Sequence, residues 1–390
     1  MRRSYPLILG GGPAGCAAAT VLARAGARPL ILERTREPQD LVCGGFMSAD
    51  TVGLLEQVGL SAPALGARPI TRLRILAGAR MFETRLPFTA YGLSRRRLDS
   101  ALIGQAASAG AGVERGVAIT LLDREARRVR LKDGASVASD TIMLATGKHD
   151  LRGALRPHAA RGRDPAVGLR ARLVPSASLA AALERVIELH VFQGGYAGLL
   201  LLEDGAVNLC LSTSKSLWTA NPSPAALLRS LAAKNPRLGD RLGEALSTGP
   251  WSSIAHIPYG WRAQPEPPGI FRLGDQGAVI ASLAGDGMGL GLASGQMAAA
   301  AWLRGGASAG PRFQSDLRAC TARPLHIAGG LKWLAEHPFA YGPLMVMLKT
   351  LPQLAHLAVN ATRVTDRGRS AGEGTGCSVP VFDGLDGAVQ

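Results

Sequence analysis

The sequence predicts an α/β protein with a second, α+β unit: a parallel sheet with flanking helices is interleaved with an antiparallel sheet and followed by C-terminal helices. A glycine cluster lies between an apolar strand and a small-residue helix near the start. Segments with the alternation of antiparallel strands occupy the middle, and a helical pattern with several prolines follows. A chain of 390 residues is long enough for two interlocked domains.

The first element is a strand followed by a tight loop and a helix. Tyr5–Leu9 is a short apolar run, which is typical of a buried parallel strand. Gly10, Gly12 and Gly15 then form the pattern G-x-G-x-x-G. The first glycine permits the turn, the second lets a pyrophosphate approach the backbone, and the third lets helix and strand pack closely. The order of elements predicts a Rossmann-type nucleotide site.

An acidic residue at the end of the next strand completes this pattern. Gly26 ends the helix, Pro29–Leu32 is the second strand, and Glu33 follows it. A carboxylate at this position accepts hydrogen bonds from ribose hydroxyls and disfavours a 2′-phosphate. The nucleotide is therefore expected to be FAD or NAD, and the pattern alone does not choose between them.

The elements predicted for the rest of the chain indicate where the domain boundaries lie. A hairpin is expected around Ala77–Ala79, a helix over Leu98–Ala109, a buried strand at Thr141–Ala145 and a hairpin at Glu203–Gly205. The expected divisions are an FAD- or NAD-binding domain of residues 1–75, 92–160 and 262–305, a substrate-binding domain of residues 76–91 and 161–261, a helical region of residues 306–365, and a flexible tail of residues 366–390.

Composition limits the partners. The formal charge of +15 comes from 38 arginines and six lysines, but these are scattered and not interleaved with aromatic residues, so no nucleic-acid partner is expected. The five cysteines are widely spaced without a CxxC pattern, which predicts no disulfide framework and no metal site. The prediction is a cytoplasmic protein without a spanning helix, whose apolar C-terminal helices leave peripheral membrane contact open.

Three motifs together resemble the glutathione-reductase-type FAD proteins of the para-hydroxybenzoate hydroxylase and geranylgeranyl reductase branch. The first is the segment from Gly10 to Glu33. The second is the stretch SRRRLDSAL, in which Arg95 and Asp99 match. The third is GDQGAVIASLAGDGMGLGLASG, which contains Gly274-Asp275, Gly285-Asp286-Gly287 and then Ser294-Gly295 at a helix end.

The resemblance implies FAD as cofactor and assigns roles to these residues. Arg95 reaches the FAD, and Asp275 binds its ribityl or pyrophosphate side. Gly285, Gly287 and Met288 offer backbone N–H groups at a helix start to the flavin N1/C2 region, where reduced flavin carries negative charge. The complete set expected to bind the cofactor is Gly10, Gly12, Pro13, Ala14, Gly15, Glu33, Arg34, Cys43, Gly44, Arg95, Gly274, Asp275, Gly285, Gly287 and Met288.

The chain also departs from the family pattern. Ser282 stands where a proline is usual, and Thr146-Gly147 replaces an Asp-Gly pair. The reductase branch has an aromatic residue and a Phe-Pro pair where this chain has Gly198, Leu200 and Leu201, so a bulkier or ring-shaped substrate is expected to fit.

The resemblance leaves the reaction open. The first hypothesis is a monooxygenase, in which NADH or NADPH reduces FAD and an apolar aromatic or polyketide-like molecule is hydroxylated. The second is a double-bond reductase acting on a prenyl or other hydrophobic substrate, favoured by Cys43 in a Cys-Gly-Gly stretch. A flavin halogenase and a non-catalytic FAD protein are further alternatives. The catalytic candidates are Cys43, His256 and Tyr259.

Overall fold

The computed structural model of the chain describes residues 2–221, 223–243, 245–247, 250–364, 377 and 379. Its strands are β1 (Arg2–Arg3), β2 (Leu7–Leu9), β3 (Leu30–Glu33), β4 (Phe46–Met47), β5 (Arg68–Ala77), β6 (Arg80–Gly92), β7 (Gly112–Arg115), β8 (Ile119–Asp123), β9 (Arg128–Leu131), β10 (Ser136–Ser139), β11 (Ile142–Leu144), β12 (Ala166–Pro175), β13 (Val186–Phe192), β14 (Gly195–Leu201), β15 (Val207–Ser214), β16 (Ala245–Ser247), β17 (Ser252–Ile257) and β18 (Ile270–Arg272). Its α-helices are α1 (Pro13–Arg24), α2 (Ala49–Gln57), α3 (Arg95–Ser108), α4 (Ala177–Leu183), α5 (Lys215–Thr219), α6 (Pro224–Lys234), α7 (Pro236–Gly243), α8 (Gly287–Gly305), α9 (Gly310–Cys320), α10 (Ala322–Glu336), α11 (Tyr341–Thr350) and α12 (Gln353–Ala361).

A parallel sheet in the order β18–β11–β2–β3–β7 forms the first unit. Its central strands are short and fully buried, as expected of strands covered on both faces. Helices α1 and α8 pack against each other on one face. A small antiparallel layer, β10–β9–β8, lies beside this sheet with β1 paired in parallel to β10.

The second unit is built on the larger sheet, β16–β12–β15–β14–β13–β5–β6–β4, with β17 paired to β12. Most adjacent strands in this sheet run antiparallel, but β13 runs parallel to β5. Side chains alternate along β14, so Tyr196, Gly198 and Leu200 face one side, and Ala197 and Leu199 pack into the core on the other. Helices α10 to α12 cover the sheet near β6 and β14.

This arrangement confirms the predicted fold class, and it corrects several details. Strand β2 begins at Leu7, not at Tyr5, and α3 begins at Arg95, not at Leu98. Strand β5 continues across the expected boundary between residues 75 and 76, because the whole hairpin belongs to the larger sheet. Helix α8 does not end at Ser294-Gly295 but continues to Gly305, and its small residues pack closely against α1.

The cysteine spacing predicted no disulfide framework, but the structure contains one disulfide. Cys320 and Cys377 form a disulfide across 57 residues of sequence. Such a pair leaves no local spacing pattern, because the chain beyond α12 must first return to α9. The predicted tail of residues 366–390 otherwise lies outside the described residues, apart from Val379. None of the helices that the structure describes combines the length and the apolar character needed to cross a bilayer.

Candidate functional site

A single cavity of about 660 Å³ joins the two units. It begins at the carboxyl ends of the parallel strands β2, β3, β11 and β18, which is where ligands bind in open α/β sheets. It continues to the pocket-facing side of β13 and β14 in the larger sheet. All of the predicted cofactor-binding residues line it except Gly15, which packs beneath the loop.

The glycine loop has room for a ligand only because side chains are missing. Gly10 has a φ of 114°, and a Cβ there would lie 2.5 Å from the carbonyl oxygen of Ala145. A Cβ on Gly15 would lie 2.0 Å from the carbonyl oxygen of Gly10. Because both clashes are with backbone, only glycine allows α1 to start so close to the sheet, and the start of α1 lines the cavity. The cradle therefore fits the diphosphate of a dinucleotide.

Glu33 connects the end of β3 to this loop. One carboxylate oxygen accepts from the Gly11 N–H at 2.7 Å, and the other accepts from the Thr35 N–H and hydroxyl, both at 2.8 Å. A carboxylate has about four acceptor positions, so these three bonds leave one for a ribose hydroxyl. The side chain thus fixes the loop and still lines the cavity.

Arg95 is held as a cation beside the loop. Ser94 caps α3 by accepting from the Arg97 N–H, and the Arg95 guanidinium donates two hydrogen bonds to Asp99 at 2.9 and 2.8 Å. Burial alone would lower the pKa of Arg95, but the Asp99 carboxylate and the Cys43 side chain raise it overall. The guanidinium lies near Gly12, where it can meet an anionic ligand.

The second glycine stretch contributes a half-buried ion pair. Gly274 donates its N–H to the Ser294 hydroxyl at 2.8 Å, which holds the turn after β18 against α8. The ammonium of Lys148 lies 2.9 Å from the Asp275 carboxylate. Burial lowers the pKa of Lys148, but Asp275 raises it above its ordinary value, so the lysine is charged. Lys148 directly follows the departure at Thr146-Gly147, and sequence reasoning missed it.

The two aspartates of this stretch have different surroundings. Asp275 lines the cavity, whereas Asp286 is buried and points away from it. Asp286 accepts from the Val364 N–H at 2.9 Å and from the Arg363 guanidinium at 3.2 Å. The start of α8 at Gly287 therefore remains open toward the cavity, with no side-chain cap on its N–H groups.

A second contact missed by sequence reasoning positions the Cys-Gly-Gly stretch. The Asn208 side-chain amide donates to the carbonyl oxygens of Cys43 and Gly44 at 2.9 and 2.8 Å. Its own oxygen accepts from Arg170 at 2.8 Å, and Arg170 also pairs with Asp40. Asn208 thereby holds Cys43 at the cavity wall. No local sequence pattern around Asn208 on β15 predicts this role.

The three catalytic candidates separate in space. Cys43 and Tyr259 line the cavity. His256 does not: it lies exposed on β17 with a φ of 59°, so the structure gives it no access to the cavity. Ile254 and Ile257 of β17 line the cavity, and a register shift between their pairings with β12 interrupts the simple alternation of the strand.

Residues 5–143 match the sequence model of the FAD binding domain. The predicted resemblance to FAD-dependent oxidoreductases is confirmed, and the glycine cradle described above fits this cofactor.

Curated relatives differ in how much of the chain they cover. The chain is 35% identical over 138 residues to the 12-dehydrotetracycline 5-monooxygenase/anhydrotetracycline 6-monooxygenase of Streptomyces rimosus, which is 34% of this chain and only about a quarter (26%) of that relative. It is 26% identical over 392 residues to the menaquinone reductase of Mycolicibacterium smegmatis, covering 93% of each. The solved flavin-dependent brominase Bmp2 superposes with a TM-score of 0.74 at 15% identity, over 95% of this chain and 96% of that one, and shows the shared fold.

Proposed function

We propose that this chain is an FAD-dependent oxidoreductase that hydroxylates a fairly apolar aromatic or polyketide-like small molecule, using NADH or NADPH as reductant. The observation that carries the proposal is the continuity of the cavity: the cradle for FAD and an apolar wall formed by the larger sheet line the same space. When bound, FAD supplies two-electron redox chemistry and the activation of O₂.

The cofactor would be held at both ends by groups already described. The glycine loop and the start of α1 would bind the diphosphate, with Arg95 as the nearby cation. Asp275 would bind the ribityl or pyrophosphate side. The uncapped start of α8 would stabilise negative charge at the flavin edge. We propose residues 1–67, 93–160 and 262–305 as the FAD-binding domain, because the whole β5–β6 hairpin belongs to the larger sheet and is assigned to the substrate-binding domain.

The remaining wall is suited to exclude water from the reaction. Leu73, Ile187, Leu189 and Leu200 face the cavity from three strands of the larger sheet. An apolar enclosure limits loss of the activated oxidant to water. The similarity to a tetracycline-acting monooxygenase supports hydroxylation, although it spans only 34% of the chain.

Double-bond reduction is the second candidate, because two specific observations favour it. Cys43 lies in the cavity wall, held there by Asn208. The similarity to the Mycolicibacterium smegmatis menaquinone reductase extends over 93% of this chain, so it includes the substrate-binding sheet. In that reaction a hydride would leave the reduced cofactor for the substrate, and a side chain in the cavity would supply the proton.

Product mass under controlled gas separates the two reactions. Purified holoenzyme is incubated with NADH or NADPH and candidate phenolic, polyketide and polyprenyl substrates, once under ¹⁸O₂ and once without oxygen. Gain of one ¹⁸O atom, only in the presence of oxygen, supports hydroxylation. Gain of two hydrogens without oxygen supports the second candidate, and a halogenated product in added bromide would contradict both.

A matched pair of variants adds a second readout. Cys43→Ser is expected to leave hydroxylation within about twofold, because an apolar enclosure needs no thiol. Loss of about 10²-fold or more in Cys43→Ser, with normal FAD content, would favour reduction with Cys43 as a proton-transfer group. Cys210→Ser serves as the control, since Cys210 is also a half-buried thiol at the cavity but lies on the sheet.

A further inference from the structure

Three hydroxyl groups meet at one end of the cavity, and we name Tyr196, Tyr259 and Ser282 the hydroxyl trio. Tyr196 donates to the Ser282 hydroxyl at 2.6 Å, and the Tyr259 and Ser282 hydroxyl oxygens are 2.5 Å apart. The Ser212 hydroxyl extends the chain to Tyr259 at 3.2 Å. All members of the trio line the cavity. Ser282 is the residue that replaces the family's proline, so this cluster is a feature of this chain.

The hydroxyl protons are not all used within the cluster. Four hydroxyl groups carry four protons, and the three contacts among them consume three. One proton and several lone pairs are therefore available to a ligand oxygen. Burial raises the pKa of both Tyr196 and Tyr259, so the phenols stay neutral and protonated at physiological pH. Such a group recognises a neutral oxygen, either a carbonyl or a hydroxyl.

Near the hydroxyl trio, the cavity-facing surface of the larger sheet has a glycine, Gly198, and therefore no side chain at that position. Gly198 lies two residues from Tyr196 on the same face of β14, which is about 7 Å along the strand. A Cβ on Gly198 would make ordinary contacts, 3.4 Å from Leu189 and 3.8 Å from the carbonyl oxygen of Cys210, so the backbone does not require glycine here. The missing side chain instead leaves room in the cavity, bounded by Leu189 and Leu200.

We propose that this end of the cavity binds an oxygen-bearing six-membered ring, such as a phenol or a ring ketone, with the ring over Gly198 and its oxygen hydrogen-bonded to the hydroxyl trio. The inference rests on the proposed function, because it takes this cavity as the substrate site of a flavoenzyme. It narrows the substrate class from apolar molecules in general to those with an oxygen on a ring. The apolar remainder of the substrate would lie along the leucine-lined wall.

Ligand binding without turnover tests the proposal. Holoenzyme without NADH or NADPH is titrated with 2-naphthol, with α-tetralone and with 2-methylnaphthalene, and binding is followed by the change in the visible flavin spectrum. Wild type is expected to bind at least one of the two oxygen-bearing probes about tenfold more tightly than 2-methylnaphthalene, which corresponds to about 1.4 kcal/mol. Preference for 2-naphthol indicates a phenol, and preference for α-tetralone indicates a carbonyl.

Variants of the trio should remove this preference and nothing else. Ser282→Ala and Tyr196→Phe are expected to weaken the favoured probe three- to tenfold and to leave 2-methylnaphthalene within twofold. Ser282→Pro should weaken the favoured probe to the same extent. The backbone accepts the proline, because the preceding residue, Ala281, has an extended ψ of 127°. Tyr5→Phe is the matched control on the protein surface. FAD content, read from the absorbance near 450 nm, checks that each variant retains its cofactor.

Size variants test the room for the ring. Binding of all three probes should fall in the order glycine, alanine, phenylalanine at position 198, with a loss of at least tenfold for Gly198→Phe. The proposal is overturned if the trio variants weaken oxygen-bearing and apolar probes equally, or if Gly198→Phe binds like wild type. A failure of the proposed function would differ: no hydroxylated or reduced product would form, yet the preference for a ring oxygen would still depend on the trio.

Discussion

Gly295 controls how closely α8 approaches α1, and through α1 it controls the proposed diphosphate site. A Cβ at this position would lie 2.2 Å from the carbonyl oxygen of Ala14 and 3.1 Å from the Cβ of Ala17. The first contact is at least 1.2 Å shorter than an ordinary van der Waals contact. It is made with backbone in the first turn of α1, so no side-chain rotation can relieve it, and the helix must shift.

The expected cost follows from two opposing contributions. Overpacking of a close contact costs about 1–3 kcal/mol, while replacement of glycine by alanine within a helix contributes up to ~1 kcal/mol of stabilisation. Gly295→Ala should therefore lower the free energy of unfolding by about 1–2 kcal/mol and Tm by roughly 2–5 °C. Because the shifted turn carries the N–H groups proposed to bind FAD, the FAD dissociation constant should rise about tenfold.

Gly104→Ala is the matched control. Gly104 also lies inside a helix, but nothing is within 4 Å of a Cβ built on it, so alanine should raise Tm slightly and leave FAD affinity unchanged. Thermal denaturation and titration of the apoprotein with FAD, monitored by flavin fluorescence, measure both quantities. If Gly295→Ala gains stability as Gly104→Ala does and binds FAD like wild type, the assignment of the α1–α8 contact is refuted.

Three further predictions address other contacts. Asp275→Ala should greatly reduce the FAD content of the purified protein, because the carboxylate is lost and the half-buried Lys148 keeps its charge without its carboxylate partner; full absorbance near 450 nm would contradict the site. Cys320→Ser should lower the free energy of unfolding by about 4 kcal/mol relative to the oxidised wild type, which is the value expected for a disulfide that closes a loop of this length. In a urea titration, wild type reduced with dithiothreitol should be as unstable as the variant. Burial opposes ionisation of Glu188, but its hydrogen-bonded cationic partners lower its pKa to about 2, so its contribution is complete above pH 4.5 and is lost as pH falls toward 2. Glu188→Gln should be less stable at pH 7 and show a shallower loss of Tm between pH 5 and 2; an unchanged acid slope would contradict this.

The sequence predicted the cavity-lining residues wherever the motif that marks them lies within one short segment. The strand, glycine loop, helix and acidic residue of Gly10 to Glu33 lie within one short segment, and each part has a geometric requirement that only particular residues meet. The same holds for the second glycine stretch, where Gly274 and Gly285 adopt positive φ. Most of the predicted cofactor-binding set therefore lines the cavity.

What the sequence did not reveal are pairings between distant side chains. Lys148 meets Asp275, and Asn208 meets Cys43, across 127 and 165 residues. Neither partner belongs to a periodic pattern that would mark it as buried or paired. Ser282 was recognised only as a departure from the family, because the hydroxyl groups that it joins come from elements 23 and 86 residues away.

A last contact joins the residues just after α12 to the start of α8 beside the cavity. Arg363, just after α12, donates to Asp286 at 3.2 Å and to the carbonyl oxygen of Ala284 at 2.8 Å. Both ionic side chains are buried, at 8% and 2% exposure. Burial raises the pKa of Asp286 above its ordinary value of 3.8, and the charge of Arg363 partly offsets this effect. Removing the arginine should therefore raise the pKa of Asp286 further.

The sign of the resulting pH dependence is fixed by this shift. A carboxyl group with a raised pKa in the folded state contributes its full stability below pH 3.8, and that contribution is lost as pH rises through the folded value. Arg363→Met should thus be about 3–5 kcal/mol less stable than wild type at pH 7.5, by urea denaturation, and the deficit should shrink toward pH 5. Asp286→Asn combined with Arg363→Met should recover much of the loss at pH 7.5, because no buried charge remains unpaired. A deficit that is independent of pH, or a double variant no more stable than Arg363→Met, would show that the arginine acts by packing alone and that Asp286 does not need its charge.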